Sequence, residues 1–251
     1  MSEQGKVAII TGAGTGIGNR TALALLEEGY SVTLAGRRVG PLEATAAEAG
    51  TEASRVLVVP TDVGDPGAVQ ALFARTKQRF GRLDLLFNNA GTTAPPVPLE
   101  DLTYEQWKSV VDVNLRAAFL TSNEVYSHMV NAGGGKVINV GSMYSLFGSD
   151  WGAPYAASKA GLIQLTKSLA VAWAKDNIQV NAVLPGWFVT DLTRGIPEAD
   201  PDRYDNINRR IPTGRWGEPS ELGGAAVFLA SAASDYVTGA TLTVDGGYSS
   251  A

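Results

Sequence analysis

The chain has 251 residues, of which 45% are apolar and 18% are charged, and its formal net charge is −5. This globular composition, without a basic cluster, argues against nucleic acid as a partner, and the absence of cysteine with a single histidine, His128, argues against a disulfide or a metal site. Because neither a signal peptide nor an apolar run of membrane-spanning length is evident, we expect a cytoplasmic protein without a membrane partner.

Short apolar runs rich in β-branched residues alternate with longer stretches whose apolar residues recur at three- and four-residue spacing. The short runs predict strands at 6–11, 31–36, 55–60, 83–88, 136–141, 178–183 and 240–245. The longer stretches predict helices at 17–28, 65–80, 104–131, 154–175 and 219–231. This alternation favours an α/β fold: a Rossmann-like, doubly wound parallel sheet of about seven strands with helices on both faces.

The domain organisation follows from what the chain lacks between these elements. No Pro/Gly/Ser-rich linker divides it and no fixed repeat is evident, so residues 1–251 are predicted to form a single domain. The segment 187–217 departs from the pattern because it mixes aromatic residues, prolines and charges of both signs. Long irregular insertions of this kind are often lids, and we expect this segment to cover a substrate.

A glycine-rich turn follows the first predicted strand. In TGAGTGIG, the residues Gly12, Gly14, Gly16 and Gly18 lead directly into a helix. Glycines allow a tight turn and a close approach of the main chain to a pyrophosphate, which binds at the N-terminus of the helix. A plain flexible turn is the alternative, but the order of strand, glycine turn and helix favours a dinucleotide site.

The second predicted strand ends in AGRR, at the position that selects between the two nicotinamide dinucleotides. An acidic residue at this point holds the adenosine ribose, whereas an arginine accommodates a 2′-phosphate. Arg37 and Arg38 are present and no carboxylate is. NADP(H) is therefore the predicted coenzyme, with NAD(H) possible, and the alternative is that both arginines are solvated surface charges.

Tyr155 and Lys159 are four residues apart in a predicted helix and so share one of its faces. A cation at this spacing lowers the pKa of a phenol, and a tyrosine with a lowered pKa can exchange a proton with a substrate. The same spacing also occurs on ordinary helix surfaces. The pair therefore needs support from other residues.

That support comes from a resemblance to the short-chain dehydrogenase/reductase family over essentially the whole chain. Its glycine motif matches residues 11–18, its NNAG motif matches 88–91, and its YxxxK motif matches Tyr155 and Lys159. A serine thirteen residues before the tyrosine, Ser142, also matches, as do the asparagine of DVNL, Asn114, and the Pro185–Gly186 turn.

The resemblance implies a role for each catalytic candidate. Tyr155 would be the acid/base that exchanges a proton with the substrate oxygen while a hydride moves to or from the nicotinamide. Ser142 would hold the same oxygen, and Lys159 would depress the pKa of Tyr155 and bind the nicotinamide ribose. Asn114 would support a water molecule that connects Lys159 to solvent.

The resemblance also implies a set of coenzyme contacts, with two alternatives left open. The set is Gly12, Thr15, Gly16, Ile17, Gly18, Arg37, Asp62, Val63, Asn88, Ala90, Gly91, Tyr155, Lys159, Pro185, Gly186 and Thr190. Asp62 and Val63 would hold the adenine, although Asp62 can also be read as an N-cap or turn residue. Asn88 would lie beside the ribose, whereas Asn89 can be structural only.

Aromatic and basic residues near these motifs give an indication of the substrate. The candidate walls of its pocket are Met143, Tyr144, Trp151, Trp187 and Phe188, and for each of them core or interface packing is the alternative. The lid arginines, Arg194, Arg203, Arg209, Arg210 and Arg215, can meet an anionic substrate or pair with the acidic residues of the same segment, Asp191, Glu198, Asp200, Asp202 and Asp205.

The predicted activity is an NAD(P)(H)-dependent interconversion of a ketone and a secondary alcohol on a small cyclic, sugar-like or polyol-like substrate. Reduction of a 3-oxoacyl thioester on an acyl carrier protein is the second enzyme hypothesis. A dinucleotide sensor without catalysis is a third hypothesis, which the intact set of catalytic residues disfavours. The family resemblance further implies a homotetramer, and Leu162 and Trp173 can be buried either at its interface or by packing on the sheet within one chain.

Overall fold

A parallel sheet of seven strands forms the centre of the computed structural model, which describes residues 5–95, 97–149 and 152–251. The strands are β1 (Val7–Thr11), β2 (Ser31–Gly36), β3 (Val56–Pro60), β4 (Leu85–Asn88), β5 (Gly135–Val140), β6 (Ile178–Pro185) and β7 (Thr241–Val244). Their order is β3-β2-β1-β4-β5-β6-β7, and every neighbouring pair is parallel. The order reverses between β1 and β4, and open α/β sheets bind ligands at such a point.

Helices cover both faces of the sheet. They are α1 (Gly16–Glu27), α2 (Val39–Glu48), α3 (Pro66–Phe80), α4 (Tyr104–Val111), α5 (Ala117–Ala132), α6 (Ala153–Trp173), α7 (Ile196–Ala199), α8 (Pro201–Arg210) and α9 (Gly223–Ala230). One apolar core packs α1 and α9 against the sheet, and a second core packs α3, α5 and α6 against the opposite face. The predicted doubly wound, Rossmann-like fold is confirmed.

Two helical parts of the structure differ from the prediction. The stretch 104–131 is not one helix, because a π-helical turn at Asp112–Arg116 separates α4 from α5. Asn114 lies in that turn, where its side chain bonds to the backbone of Thr92. Helix α2 was not predicted, because Gly40 and Pro41 interrupt its apolar pattern; both fall in its first turn, where proline is tolerated.

Leu162 does not need a partner subunit for its burial. Its side chain is 1% exposed within the single chain, so of the two possibilities, packing within the chain accounts for its burial. Trp173 is only partly buried, at the edge of the second core, where its ring lies 5.1 Å from that of Tyr126. In the described part of the chain, no helix combines the length and the hydropathy that a membrane span requires.

Candidate active site

A cleft opens at the carboxyl ends of the strands, and most of the predicted site residues line it. Those that do are Gly12, Thr15, Gly16, Ile17, Arg37, Asp62, Val63, Ala90, Gly91, Ser142, Tyr155, Lys159, Pro185, Gly186 and Thr190. They come from seven separate loops or helices, which the parallel topology brings to one edge of the sheet. The position beside β1 and β4 is the reversal point of the strand order.

The glycine turn has the geometry of a phosphate cradle. Gly12 and Gly16 have φ angles of 64° and 55°, in the left-handed region that favours glycine. The turn ends in the N-terminus of α1, whose first amides have no partner within the helix and favour an anion. These residues fit the pyrophosphate of a dinucleotide, since the backbone supplies the donors and no side chain blocks the approach.

Asn89 fixes this turn from the neighbouring strand. Its Nδ2 donates to the carbonyl oxygens of Thr11 and Gly12, both at 3.1 Å, while its backbone amide donates to Thr11 Oγ1 at 3.0 Å. Asn89 also lines the cleft. The structural role left open for Asn89 is therefore present, and the side chain positions the glycine turn.

Arg37 and Arg38 are exposed at the far end of the same cleft. Neither arginine forms an ion pair with a residue that the structure describes. The nearby Asp62 also lines the cleft, and its Oδ1 accepts from the amide of Gly64 at 2.9 Å. Asp62 is thus a turn residue, whereas Asp65 is the residue that caps α3.

Ser142, Tyr155 and Lys159 meet at the opposite end of the cleft. Ser142 follows β5, and the first two turns of α6 carry Tyr155 and Lys159. The Ser142 side chain is close enough to the Tyr155 hydroxyl to influence its pKa. Lys159 is 4% exposed, its Nζ donates to Val140 O at 2.6 Å, and it lies 5.7 Å from the centre of the Tyr155 ring. The hydroxyls of Ser142 and Tyr155 and the buried amine of Lys159 therefore lie at the same end of the cleft.

The expected lowering of the Tyr155 pKa is wrong for this structure. Burial raises the pKa of Tyr155, and the Ser142 side chain opposes that rise only in part. Burial also lowers the pKa of Lys159 to about 8, because a charged ammonium is costly away from water. Burial is thus the largest influence on the phenol, and the spacing of the two residues does not reveal it.

Three predicted site residues lie behind the wall of the cleft. Gly18 is buried in α1. The Asn88 side chain bonds to Thr121, Ser122 and Asn139 within the protein. Its predicted place beside a ribose is therefore corrected to a buried link between β4, β5 and α5, since the polar side chains of those elements enclose it.

Asn114 is the third of these residues. It is 1% exposed, its Oδ1 accepts from the amide of Thr92 at 2.8 Å, and its Nδ2 donates to Thr92 O at 3.0 Å. Asn114 Oδ1 and Lys159 Nζ lie 3.4 and 3.7 Å from the point where a Cβ on Gly91 would stand. Asn114 and Lys159 therefore approach the same stretch of backbone.

Comparison with known proteins is consistent with this geometry. The family model described as enoyl-(acyl carrier protein) reductase matches residues 12–249. The 2-dehydro-3-deoxy-D-gluconate 5-dehydrogenase of Dickeya dadantii (strain 3937) is 40% identical, and the match covers 98% of this chain and 96% of that protein. The chain belongs to the short-chain dehydrogenase/reductase family. It is an NAD(P)-dependent oxidoreductase that acts on CH–OH groups.

Two further members of the short-chain dehydrogenase/reductase family extend the comparison. The cis-4-hydroxycyclohexanecarboxylate dehydrogenase of Sinomonas cyclohexanicum is 40% identical, with 97% of this chain and 96% of that protein covered. The crystal structure of a gluconate 5-dehydrogenase from Burkholderia cenocepacia J2315, in complex with NADP and tartrate, superposes with a TM-score of 0.92 at 38% identity. That match covers 99% of this chain and 96% of the other.

The segment 187–217, the predicted lid, is held by aromatic packing. Trp187, after β6, lies 5.4 Å from Trp216 between ring centres, and Trp216 lies 5.2 Å from Tyr204 on α8. Ile207 and Ile211 pack with these three rings. We call these five residues the lid cluster. The segment 187–217 is therefore a packed unit with its own small core.

The predicted substrate walls divide into two groups. Met143 and Phe188 are 4% and 5% exposed, and both pack into apolar cores; Phe188 also borders the cleft. Tyr144 and Trp187 are half-buried, and their rings pack edge-to-face on each other. Trp151 lies outside the described residues.

Most lid arginines have partners within the protein. Arg194 pairs with Asp191, and Arg215 forms two hydrogen bonds of 2.7 Å with Glu221. The Arg215 pair holds the pKa of Glu221 at about 2, well below its ordinary value. Arg210 lies against the rings of Phe147 and Tyr248, and Arg203 lies 5.7 Å from the centre of the Trp187 ring.

Sequence reasoning missed several residues that line the cleft. They are Gly36, Pro41, Leu42, Thr61, Val113, Val140, Gly141, Asp191, Leu192 and Thr193. Gly14, Arg38 and Asn89, which the motifs contained without an individual coenzyme contact assigned to them, line it as well. Pro41 and Leu42 belong to α2, which was not predicted, and no motif marks them.

Proposed function

We propose that this protein interconverts a secondary alcohol and a ketone on a small polyol, sugar acid or cyclic alcohol, with NADP(H) as the preferred coenzyme. The observation that carries this proposal is the meeting of Ser142, Tyr155 and Lys159 at one end of a dinucleotide cleft. The relatives that act on gluconate derivatives and on a hydroxycyclohexane carboxylate support the substrate class.

Each catalytic group has a distinct task in this proposal. The bound dinucleotide supplies or accepts the hydride. Tyr155 gives its hydroxyl proton to the oxygen of the ketone during reduction and takes the proton back during oxidation. Ser142 donates a hydrogen bond to the same oxygen and so fixes the reacting carbon. Lys159 binds the nicotinamide ribose and resupplies the proton, with Asn114 behind it as a positioning residue.

The raised pKa of Tyr155 sets the direction of proton transfer at a given pH. Near neutrality the phenol holds its proton, which suits a donor to a ketone. Oxidation of an alcohol needs the phenolate, so its rate rises with pH towards the raised pKa of Tyr155. The rate of reduction falls over the same range.

The coenzyme preference is tested by titrating the protein with NADPH and with NADH, in the wild type and in the Arg37→Ala and Arg38→Ala variants. Tighter binding of NADPH, lost in either variant while NADH binding is unchanged, supports recognition of the 2′-phosphate by that arginine. Equal binding of both coenzymes by the wild type would refute the NADP(H) preference and leave the rest of the proposal in place.

The substrate class is tested by a screen of sugar acids, polyols and cyclic alcohols with NADP⁺, read by the absorbance of NADPH. A second arm measures reduction of an acetoacetyl thioester, because the 3-oxoacyl-[acyl-carrier-protein] reductase of Thermotoga maritima is 37% identical to this chain. The net charge of −5 and the internal pairing of Arg194 and Arg215 disfavour an acidic carrier protein. Faster turnover of the thioester would replace the alcohol proposal.

A homotetramer in the cytoplasm completes the proposal. Phe119 on α5 is 51% exposed and Val171 on α6 is 83% exposed, so both helices present apolar side chains that a partner subunit can cover. Light scattering tests the assembly: a mass of one chain would refute it, and a mass of four chains is expected.

A further inference from the structure

Tyr144 stands between the catalytic tyrosine and the lid. Its ring lies 6.3 Å from the ring of Tyr155 at an interplanar angle of 81°. The ring of Trp187 lies on another side of it, also at 6.3 Å and at an angle of 84°. Both contacts are edge-to-face, a favourable arrangement for aromatic pairs. Tyr144 therefore links the reacting end of the cleft to the lid cluster.

The backbone of Tyr144 is fixed by the same hydrogen bonds that fix Ser142. The Tyr144 amide donates to Ser142 Oγ at 3.2 Å, within the short 3₁₀ turn Met143–Ser145. Ser145 Oγ accepts from the Ser142 amide at 3.2 Å and donates to Lys159 O at 3.0 Å. A residue held in this way has a defined position relative to Ser142 and Lys159, and such preorganisation is what a substrate contact needs.

The phenol of Tyr144 acts on the catalytic group directly. Its proximity is one of the causes that raise the pKa of Tyr155, after burial. The Tyr144 side chain is half-buried, and its ring packs edge-to-face with the ring of Tyr155, which lines the cleft. Met143, the preceding residue, points into a core and offers no polar atom there.

We propose that Tyr144 is a specificity-determining residue whose hydroxyl binds a second oxygen of the substrate, on the carbon next to the reacting one. The preferred substrates are then vicinal diols and the corresponding α-hydroxyketones. This inference rests on the proposed alcohol dehydrogenase activity and narrows its substrate class.

The chemistry of the three hydroxyls supports this assignment. Ser142 and Tyr155 both address the reacting oxygen, and a phenol such as that of Tyr144 can donate to or accept from a neighbouring oxygen. Trp187 beside it offers an apolar face and only an N–H donor. A wall with one further hydroxyl beside an indole face suits a ring or chain that carries adjacent oxygens. An analogue without the second oxygen loses one hydrogen bond.

The experiment compares two probes that differ in one hydroxyl, cyclohexanol and cyclohexane-1,2-diol, with NADP⁺ as oxidant. In each case the hydride leaves the carbinol carbon for NADP⁺ and the hydroxyl proton passes to Tyr155, which yields the ketone or the hydroxyketone. We measure kcat and KM for the wild type and for Tyr144→Phe, which keeps the ring and removes only the hydroxyl. Tyr236→Phe is the matched control, since Tyr236 is fully exposed and its neighbour Asp235 pairs with Lys136 at the opposite end of β5.

The expected result is that kcat/KM for the diol falls about tenfold in Tyr144→Phe, mainly through KM, as expected for one lost hydrogen bond. Any effect through the pKa of Tyr155 acts on both probes alike, so the ratio of kcat/KM for the diol to that for cyclohexanol falls by the same factor, and Tyr236→Phe changes neither probe. Equal losses on both probes would overturn the inference, because Tyr144 would then only shape the pocket. An unchanged kcat/KM for the diol would overturn it as well.

A binding measurement separates this inference from the proposed function. The fluorescence of Trp187 reports on its neighbourhood, so we titrate the enzyme–NADP⁺ complex with the diol in the wild type and in Tyr144→Phe. Turnover of cyclohexanol without any preference for the diol would refute the Tyr144 contact alone. If the wild type turns over neither probe, the alcohol dehydrogenase proposal fails for this class. Diol binding that weakens in Tyr144→Phe then supports the contact, and binding that does not change refutes it.

Discussion

The two ends of the cleft are built in different ways. At the coenzyme end, backbone groups and short polar side chains form the wall, and hydrogen bonds from Asn89 to Thr11 and Gly12 fix it. At the lid end, large side chains from distant segments pack on one another, among them Trp187, Tyr204 and Trp216. The wall at the coenzyme end therefore depends on particular residues, whereas the packing at the lid end can be formed by many combinations of side chains.

This difference corresponds to the two demands of the reaction. A pyrophosphate needs amides at fixed positions, which only particular backbone angles supply. A substrate pocket needs a shape, which many combinations of side chains can produce. We therefore expect substitutions at the coenzyme end to act on coenzyme binding and chemistry, and substitutions in the lid to act on the affinity and choice of substrate.

The largest expected effect is at the point where the two ends meet. Tyr155→Phe removes the hydroxyl that exchanges the proton and keeps the ring that contacts Tyr144. Turnover should fall by about 10³-fold, within the range of a lost general acid/base, while the Kd of NADPH stays unchanged. Steady-state kinetics and a coenzyme titration measure the two quantities. A variant with nearly wild-type turnover would show that another group moves the proton.

The second prediction concerns a substitution that disrupts the coenzyme end of the cleft. A Cβ on Gly18 would stand 2.2 Å from Gly12 O and 2.6 Å from Asn89 Nδ2, so Gly18→Ala forces the glycine turn to shift. We expect the free energy of unfolding to fall by about 1–3 kcal/mol, as in other overpacked sites. NADPH binding should weaken by about tenfold or more, since 1.4 kcal/mol corresponds to a factor of ten.

Gly224→Ala is the matched control for Gly18→Ala. Gly224 is exposed on α9, and a Cβ there would meet no atom within 4 Å. Alanine is the better helix former by about 1 kcal/mol, so this variant should be as stable as the wild type or more stable. Denaturant unfolding compares the two. Similar losses in both variants would mean that a general intolerance of alanine, not the contact with Gly12, explains the result.

The coenzyme end could be predicted from the sequence because its constraints are local. Gly12 and Gly16 were chosen for their backbone freedom, and the structure gives them positive φ angles. The ends of the strands were predicted to within two residues for the same reason, since a strand that is buried on both faces appears in the sequence as a continuous apolar run. Asn88 was misplaced because both asparagines of the motif look alike in sequence, and only the register of β4 separates the buried one from the one at the cleft.

The lid could not be predicted to the same depth. Its cluster joins residues near 187, 207 and 216, and pairing between distant segments leaves no periodic pattern. The pKa of Tyr155 was predicted in the wrong direction for a related reason. The spacing of Tyr155 and Lys159 shows that the two side chains share a helix face. Their burial, which sets the direction of both pKa shifts, depends on elements that pack over them from elsewhere in the chain.

The third prediction tests whether the lid acts on the substrate alone. Trp187→Leu keeps an apolar side chain but removes the ring contacts with Tyr144 and Trp216. The KM of a polyol or cyclic alcohol should rise by roughly tenfold, since an aromatic contact adds about 0.5–1.5 kcal/mol to its area burial. The Kd of NADPH should not change. If NADPH binding weakens as much as substrate binding, the two ends of the cleft are coupled and the comparison fails.

The smallest expected effect concerns the pH dependence of stability. Lys159 has an ordinary pKa of 10.5, and burial lowers it to about 8 in the folded chain. Between these values the unfolded chain binds more protons than the folded chain, so the free energy of unfolding rises with pH. Tyr155 opposes this only above its ordinary value of about 10, because its folded pKa is raised.

The test measures denaturant unfolding at about pH 7.5 and about pH 9, a window in which Lys159 titrates in the folded chain and Tyr155 stays mostly protonated in both states. The wild type should gain roughly 1 kcal/mol between the two, and Lys159→Met, which keeps the length of the side chain, should lack this gain. An equal gain in the variant would assign the effect to another group. No gain in the wild type would mean that Lys159 stays protonated in the fold, held by Val140 O, and that the reacting end of the cleft carries a fixed positive charge even before the substrate binds.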